Sequence, residues 1–66
     1  MLITLNGQPC NVNLQSTIVD LLAHLQLQDQ RLAVEVNQEV ITRSEHSHFQ
    51  LSEGDQVEII QAVGGG

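Results

Sequence analysis

The last ten residues of the chain, VEIIQAVGGG (57–66), decide the fold because they join a strand pattern to an ending without side chains. The first part is rich in β-branched residues, which is typical of a strand. The ending is Gly64, Gly65 and Gly66, and glycine loses more conformational entropy on ordering than any other residue. The stretch predicts a packed strand that continues into a flexible glycine tail.

A tail of this kind can reach beyond the surface of its own domain. Four extended residues, starting at Val63, span about 13 Å, enough to carry the carboxylate of Gly66 into a buried site of another protein. That carboxylate is the candidate reactive group. Taken alone, the glycine content favours a frayed end or a linker, so the reactive role needs further support.

The composition indicates one small domain with an aliphatic core. A chain of 66 residues buries only about 60% of the surface of its unfolded state, so we expect modest stability. Hydrophobic residues make up 41% of the sequence, enough for a single core. Phe49 is the only aromatic residue, so that core must consist of aliphatic side chains.

The charge balance narrows the class of partner. Eight acidic residues stand against two basic ones, Arg31 and Arg43, and the formal net charge is -6. Nucleic acids and anionic membranes need a basic binding face, so neither is expected as a partner, whereas a basic protein surface is. The chain has no lysine, so no ε-amino group on it could intercept an activated acyl group.

The single cysteine and the absence of long apolar runs indicate the cellular compartment in which we expect the protein. Cys10 has no second cysteine to pair with, which favours a reducing compartment. No secretory signal and no apolar run of about 18 residues is visible, so we expect a soluble cytoplasmic protein. Cys10, Val12 and Leu14 alternate, which predicts one strand face with Cys10 as a buried hydrophobe rather than a catalytic thiol.

The first half of the chain predicts a hairpin and then a helix. Residues 1–6 alternate in polarity, residues 6–9 (NGQP) carry a turn signal, and residues 10–14 form the paired strand. Thr17 supplies an N-cap hydroxyl, and Asp20 follows in the first turn. Apolar residues at helical spacing then predict an amphipathic helix about ten residues long, with Ile18, Leu21, Leu22 and Leu25 on its buried stripe.

The second half predicts another hairpin after a polar loop at residues 28–31. Residues 32–37 and 39–42 have strand patterns, and the turn between them lies at residues 37–38.

A polar segment separates this hairpin from the last strand. Residues 43–50 are too polar for a core, so we expect them to wrap an edge with Phe49 or Leu51 as the apolar anchor. Residues 52–55 form a turn in which Gly54 can adopt positive φ.

A helix with one apolar stripe and several alternating strands bury their apolar faces against each other in two layers. In the last strand Val57 and Ile59 would face the helix, so Glu58 and Ile60 would point outward. Ile60 is then a large apolar side chain in an exposed position, although isolated cases are ordinary. The candidate partner-contact patch consists of Ile60, Ala62 and Val63.

The sequence gives only weak evidence for other groups of side chains that could bind a metal or catalyse a reaction. His46 and His48 alternate, which would place both on one side of an extended loop, but a zinc site needs more ligands than two. A solvated loop is the favoured interpretation, and no metal site is expected. The acidic residues Glu53, Asp55 and Glu58 lie around a turn. A catalytic role for them would require a cleft, and a domain this small has little room for one. The sequence predicts no catalytic site within the chain.

Five segments together carry a resemblance to a known family: MLITLNG (1–7), TIVDLL (17–22), AVEVN (33–37), LSEGDQVEI (51–59) and QAVGGG (61–66). In their order, in chain length and in the ending, the chain resembles the ubiquitin-like β-grasp sulfur carriers. Within that group it is most similar to the ThiS family of thiamine biosynthesis. The resemblance spans the whole chain, and each segment alone would be weak.

The resemblance implies an α+β fold of the β-grasp type. A mixed sheet of four to five strands, with one helix on one face, would form a domain of residues 1–63. Residues 64–66 would form the flexible tail. The family needs only two terminal glycines, so the function carries over to Gly65 and Gly66, with Gly64 as additional slack.

The resemblance also implies that the chain is a carrier rather than a catalyst. In such proteins an adenylyltransferase similar to the ubiquitin-activating enzymes uses ATP to adenylate the terminal carboxylate, here that of Gly66. A sulfur donor enzyme then converts it to a thiocarboxylate, and thiazole synthase accepts the sulfur to build the thiazole phosphate of thiamine. No cofactor is expected to bind to the chain itself.

Two alternatives share the same ending. The molybdenum-cofactor sulfur carriers have the same fold and tail but serve a different acceptor, and this chain is shorter than is usual among them. A ubiquitin-like modifier or a plain interaction module is the more distant possibility.

Overall fold

The computed structural model describes residues 1–61 of the chain. The elements in that range are β1 (Leu2–Leu5), β2 (Gln8–Asn11), α1 (Ile18–His24), β3 (Leu32–Val36), β4 (Glu39–Ile41), a 3-10 turn (Arg43–Glu45) and β5 (Gln56–Gln61). The predicted tail and part of the predicted patch lie outside the described residues, namely Ala62, Val63, Gly64, Gly65 and Gly66.

The five strands form one mixed sheet in the order β2-β1-β5-β3-β4. β5 lies in the centre, parallel to β1 and antiparallel to β3. The two hairpins, β1–β2 and β3–β4, flank it on either side. This is the predicted α+β arrangement with five strands, and the last strand of the chain is the one that joins the two hairpins.

Both hairpins turn through two residues with positive φ. Asn6 and Gly7 have φ values of 48° and 81°, and Asn37 and Gln38 have values of 52° and 70°. Positive φ at both central residues is the pattern of type I′ turns, whose twist matches that of the flanking strands. The predicted turns at Asn6-Gly7 and at residues 37–38 are confirmed.

The predicted start of the second strand at Cys10 is wrong. The two-residue turn pairs Leu5 with Gln8, so β2 begins at Gln8 and ends at Asn11. Leu14 therefore lies beyond the strand and is 76% exposed, rather than sharing a buried face with Cys10.

Helix α1 is shorter than the predicted ten residues. It spans seven, from Ile18 to His24. At its end Gln26 takes φ 60° and donates its N–H to the carbonyl of Ala23, and the N–H of Leu27 reaches the carbonyl of Leu22. These two bonds form a Schellman motif, which closes the helix here with glutamine in the place that glycine usually takes.

The core lies between the helix and one face of the sheet and is aliphatic, as predicted. Its buried members are Ile3, Ile18, Leu21, Leu22, Val34, Val36, Ile41, Leu51 and Val57. Phe49 is partly buried and packs against this cluster, so the predicted anchors Phe49 and Leu51 both contribute.

The interpretation of His46 and His48 as parts of a solvated loop is wrong at His46. The 3-10 turn at Arg43–Glu45 directs this side chain inward, where it is 6% exposed and its Nε2 lies 3.0 Å from the carbonyl oxygen of Ile41. The backbone carbonyl of His46 also accepts from the N–H of Val19. His48 is exposed, so the two histidines do not share one side.

Candidate functional site

The candidate site is the end of β5, from which the predicted tail continues. Val57 is 1% exposed and Ile59 packs against the core, whereas Glu58 and Ile60 are exposed on the other face. The predicted orientation of the strand is therefore confirmed. Because β5 is a central strand and the side chains on one of its faces are packed against the core, it gives the predicted tail a fixed starting point.

Two asparagines from the hairpin turns hold β5 on both sides. The Oδ1 atom of Asn6 accepts a hydrogen bond from the N–H of Ile59 at 2.8 Å, and its Nδ2 donates to the Ile59 carbonyl at 3.4 Å. On the other side, the Oδ1 atom of Asn37 accepts from the N–H of Gln56 at 2.9 Å.

The side chain of Asn6 therefore extends the parallel β1–β5 pairing. Backbone register between these strands ends at Leu5 opposite Val57. Asn6 then turns away with positive φ, and its amide supplies the donor and the acceptor that a further strand residue would have offered to Ile59. The sequence revealed the turn, because Asn-Gly is a local signal, but a bond across 53 residues has no local signal.

The last described part of β5 is paired only with β3. The register continues to Leu32 opposite Gln61. The Gln61 Nε2 atom also donates to the Oε1 atom of Gln30 at 3.0 Å. The predicted reactive residue, Gly66, lies five positions further along the chain, outside the described residues.

The outer face of the sheet, opposite the helix, carries the described member of the predicted patch. Ile60 is 50% exposed and lies opposite Ala33 on β3. Val40 on β4 is 61% exposed and lies opposite Glu35, which in turn lies opposite Glu58 on β5. The sequence predicted Ile60 but missed the cross-strand neighbours, because pairing between distant segments is a tertiary property.

Residues 1–61 also contain the groups that the sequence analysis considered for metal binding and thiol chemistry. Within this range no three of the His, Cys, Asp and Glu side chains come together as a metal site. Cys10 is partly buried, and its Sγ lies 3.9 Å from the carbonyl of its neighbour Asn11. A groove beside His46 and Arg43 has a volume of about 190 Å³, below the roughly 300–1,000 Å³ of small-molecule sites.

None of the helices in residues 1–61 has the length and hydropathy needed to span a bilayer.

Comparisons with known proteins point to one family. The model of the ThiS family matches residues 3–66. The sulfur carrier protein ThiS of Bacillus subtilis is 42% identical over 50 residues, which cover 76% of each chain. The crystal structure of the thiamine biosynthesis protein ThiS from Geobacter metallireducens superposes with a TM-score of 0.86 at 33% identity, covering 100% of both chains.

Two longer relatives are named thiazole synthase. The protein from Magnetococcus marinus is 38% identical and that from Paramagnetospirillum magneticum 32% identical, each over 66 residues. The match covers 100% of this chain but only 20% of either relative. The chain thus spans about a fifth of the length of these two proteins.

Proposed function

Because the chain belongs to the ThiS family, we propose that it is a sulfur carrier of thiamine biosynthesis whose reactive group is the carboxylate of Gly66. The observation that carries the proposal is the extent of the family match, which runs to Gly66 and includes the glycine ending. In this role the chain is a protein substrate of other enzymes rather than a catalyst.

The chemistry requires an activated carboxylate. A carboxylate oxygen of Gly66 attacks the α-phosphorus of ATP, pyrophosphate leaves, and an acyl-adenylate forms. A sulfide equivalent from a sulfur donor enzyme then adds to the carbonyl carbon, and AMP leaves with its electron pair. The net change is the replacement of one carboxylate oxygen by sulfur, and the thiocarboxylate is a nucleophile attached to a recognisable domain.

The described body suits this chemistry because it separates recognition from reaction. β5 is held in the sheet to Gln61 by β3 and by the Gln61–Gln30 bond. Five residues then remain to Gly66, and extended they span about 17 Å. An adenylyltransferase similar to the ubiquitin-activating enzymes could bind the folded body while only the narrow glycine segment enters its active site, which raises the effective concentration of the carboxylate there.

Thiazole synthase is the proposed acceptor. Two proteins of that name contain a segment similar to the whole of this chain as about a fifth of their length. A carrier and an acceptor in one polypeptide benefit from a high effective concentration, which supports the pairing of the two functions. The acidic chain also fits a basic protein surface better than a nucleic acid.

Intact-mass spectrometry tests the proposal. The chain is incubated with an activating enzyme, ATP and a sulfide source, and we expect a mass increase equal to the exchange of one oxygen for sulfur. Addition of thiazole synthase and its substrates should restore the original mass. A ladder of conjugates would indicate a modifier, and transfer only to a molybdopterin-synthase type acceptor would indicate the other carrier class. An unchanged mass would contradict the carrier function.

Substitution of Gly66 by valine provides the sharper prediction. A branched side chain at this position, or one residue appended after it, widens or displaces the group that must enter the active site. We expect loading to fall by at least about 100-fold, the scale of a misplacement of about 1 Å. The melting temperature should stay unchanged, and full loading of either variant would contradict the threading argument.

A further inference from the structure

A groove beside α1 lies between the helix, the loop that follows it and the 3-10 turn. Its lining residues are Val19, Leu22, Gln28, Arg43 and His46, and its volume is about 190 Å³. We call these five residues the helix groove. An apolar cavity of about 150 Å³ holds a molecule of the size of benzene, so the helix groove has room for one side chain of a partner.

The apolar part of the helix groove is continuous with the core. Leu22 is a buried core residue at 8% exposure, whereas Val19, three positions earlier on α1, is 43% exposed. Val19 lies outside the apolar stripe that packs on the sheet, and its side chain is accessible to another molecule. An apolar side chain placed between these two residues would cover both.

Arg43 is the only residue of the helix groove with a permanent charge, and it is exposed. The chain has eight acidic residues and one other arginine, Arg31, which lies outside the groove. The nearby carboxylate of Glu45 accepts from the N–H of Thr42 at 3.4 Å and from its Oγ1 at 2.8 Å, within the 3-10 turn. In a chain of formal charge -6, this one groove therefore presents a guanidinium, the group that binds a carboxylate most specifically.

His46 adds a hydrogen-bond acceptor to the groove. Its side chain is 6% exposed, and its Nε2 lies 3.0 Å from the carbonyl oxygen of Ile41. A carbonyl oxygen only accepts, so this bond assigns the proton to Nε2, and the neutral ring has its lone pair on Nδ1. Every buried side-chain nitrogen and oxygen of residues 1–61 has a hydrogen-bond partner. Since Nε2 makes the described bond, Nδ1 belongs to the accessible edge of the ring, which lines the groove.

We propose that the helix groove binds a segment of another protein in which an apolar residue is followed by an aspartate or glutamate. The apolar side chain packs on Val19 and Leu22, and the carboxylate accepts from the guanidinium of Arg43. A backbone N–H of the segment donates to Nδ1 of His46. This recognition surface is additional to the predicted tail and does not depend on sulfur transfer.

Two other occupants fit this groove less well. A second copy of the chain carries the same formal charge of -6, so the two molecules repel each other. The terminal carboxylate of the chain itself follows three glycines, so no apolar side chain lies beside it. A different protein can supply the apolar and the acidic group together.

An NMR titration of the ¹⁵N-labelled full chain tests the inference. The probes are acetyl-Gly-Leu-Asp-Gly-amide and acetyl-Gly-Leu-Asn-Gly-amide, which have the same shape and differ in one negative charge. At low salt the aspartate peptide should bind about two- to fivefold more tightly, the scale of an exposed ion pair, and the difference should shrink as ionic strength rises. The backbone amides of the helix groove should shift to saturation, and the Nδ1 resonance of His46 should shift with them.

Arg43→Gln should give the two peptides equal affinity, and Arg31→Gln is the matched control. Arg31 is exposed and lies outside the groove, so its replacement changes the net charge equally but should preserve the difference between the peptides. For the apolar part, Val19→Ser should weaken both peptides by at least about twofold. Leu14→Ser, at an apolar position that is 76% exposed outside the groove, should leave both affinities unchanged.

Equal affinities of the two peptides for the wild-type chain would overturn the inference, as would equal effects of Arg31→Gln and Arg43→Gln. Groove amides that shift with protein concentration in the absence of peptide would identify a second copy as the occupant and overturn the proposed partner. Groove amides that shift when residues 62–66 are removed would identify the chain's own ending as the occupant, with the same consequence. None of these measurements involves sulfur loading, so a chain that is never loaded would contradict the proposed function and leave the groove unaffected.

Discussion

Asn6 shows how one residue can determine both a turn and the fixation of a distant strand. Its φ of 48° lies in the left-handed region, which asparagine tolerates better than most residues. The same side chain bonds to both backbone groups of Ile59. Any replacement therefore acts on the β1–β2 turn and on the last strand at once.

Asn6→Ala should lower the free energy of unfolding by about 2–3 kcal/mol, because two hydrogen bonds are lost and alanine is strained at positive φ. Asn6→Asp should cost only about 1 kcal/mol, since it keeps the acceptor for the Ile59 N–H and tolerates the turn. Denaturant unfolding measures both. Hydrogen exchange at the Ile59 amide should accelerate in the alanine variant.

Gln38→Ala is the control for the turn conformation. Gln38 has φ 70° in the other hairpin, and the described contacts of β5 involve its neighbour Asn37 instead. If Gln38→Ala destabilised the protein as much as Asn6→Ala does, the contribution assigned to the bonds with Ile59 would be wrong.

Among the elements, α1 depends most on local chemistry because it is only seven residues long. Isolated helices of this length are unstable in water, so the caps and the packing must hold it. Thr17 Oγ1 accepts from the N–H of Asp20 at 3.2 Å, and the Asp20 carboxylate accepts from the N–H of Thr17 at 2.9 Å. This reciprocal capping box confirms the predicted start of the helix.

Thr17→Ala should destabilise the protein by about 1 kcal/mol, since one N–H of the first turn loses its acceptor. Asp20→Ala should have a similar effect of about 1 kcal/mol because it removes the other half of the box. The double variant should cost less than the sum of the two, as the bonds form one unit. Thermal and chemical unfolding of the three variants measure these values.

Ser47→Ala removes an exposed hydroxyl outside the helix and serves as the control. Its effect should stay within about 0.5 kcal/mol, as is usual for surface positions. Fully additive effects of Thr17→Ala and Asp20→Ala would show that the two bonds do not act together.

At the scale of the whole molecule, the chain consists of a folded body and a C-terminal segment. The body has β5 as the central strand of its sheet, and the C-terminal segment contains three glycines, which have no side chains. β5 joins the two hairpins, so the sheet is incomplete until the C-terminal part of the chain has been added. The predicted boundary between residues 63 and 64 lies outside the described residues and stays a prediction.

Removal of residues 62–66 should leave the body folded, because it retains all of the described pairing of β5 with β3, from Val57 to Gln61. We expect the melting temperature to shift by less than about 2 °C and sulfur loading to be lost completely. Circular dichroism and intact-mass analysis measure the two effects. Removal of residues 59–66 is the contrasting variant, and it should unfold the protein because it deletes Ile59 and its bonds to Asn6.

Local patterns were sufficient for most of the elements. The alternation in residues 57–61 predicted which side chains of β5 face the helix, and Asn6-Gly7 predicted the first turn. The errors arose where one local sequence pattern is compatible with two different local structures. A two-residue turn moved the start of β2 to Gln8, and a 3-10 turn buried His46 within a segment whose composition is polar.

The sequence by itself determined the strand and helix order, the aliphatic core and the glycine ending, because these depend on residue type and on spacings of a few positions. Only the tertiary structure decided that Asn6 bonds to Ile59 and that Glu35 lies opposite Glu58. Those contacts join residues more than 20 positions apart, and their geometry follows from strand order and register. Both are fixed by the packing of the whole chain rather than by any segment of it.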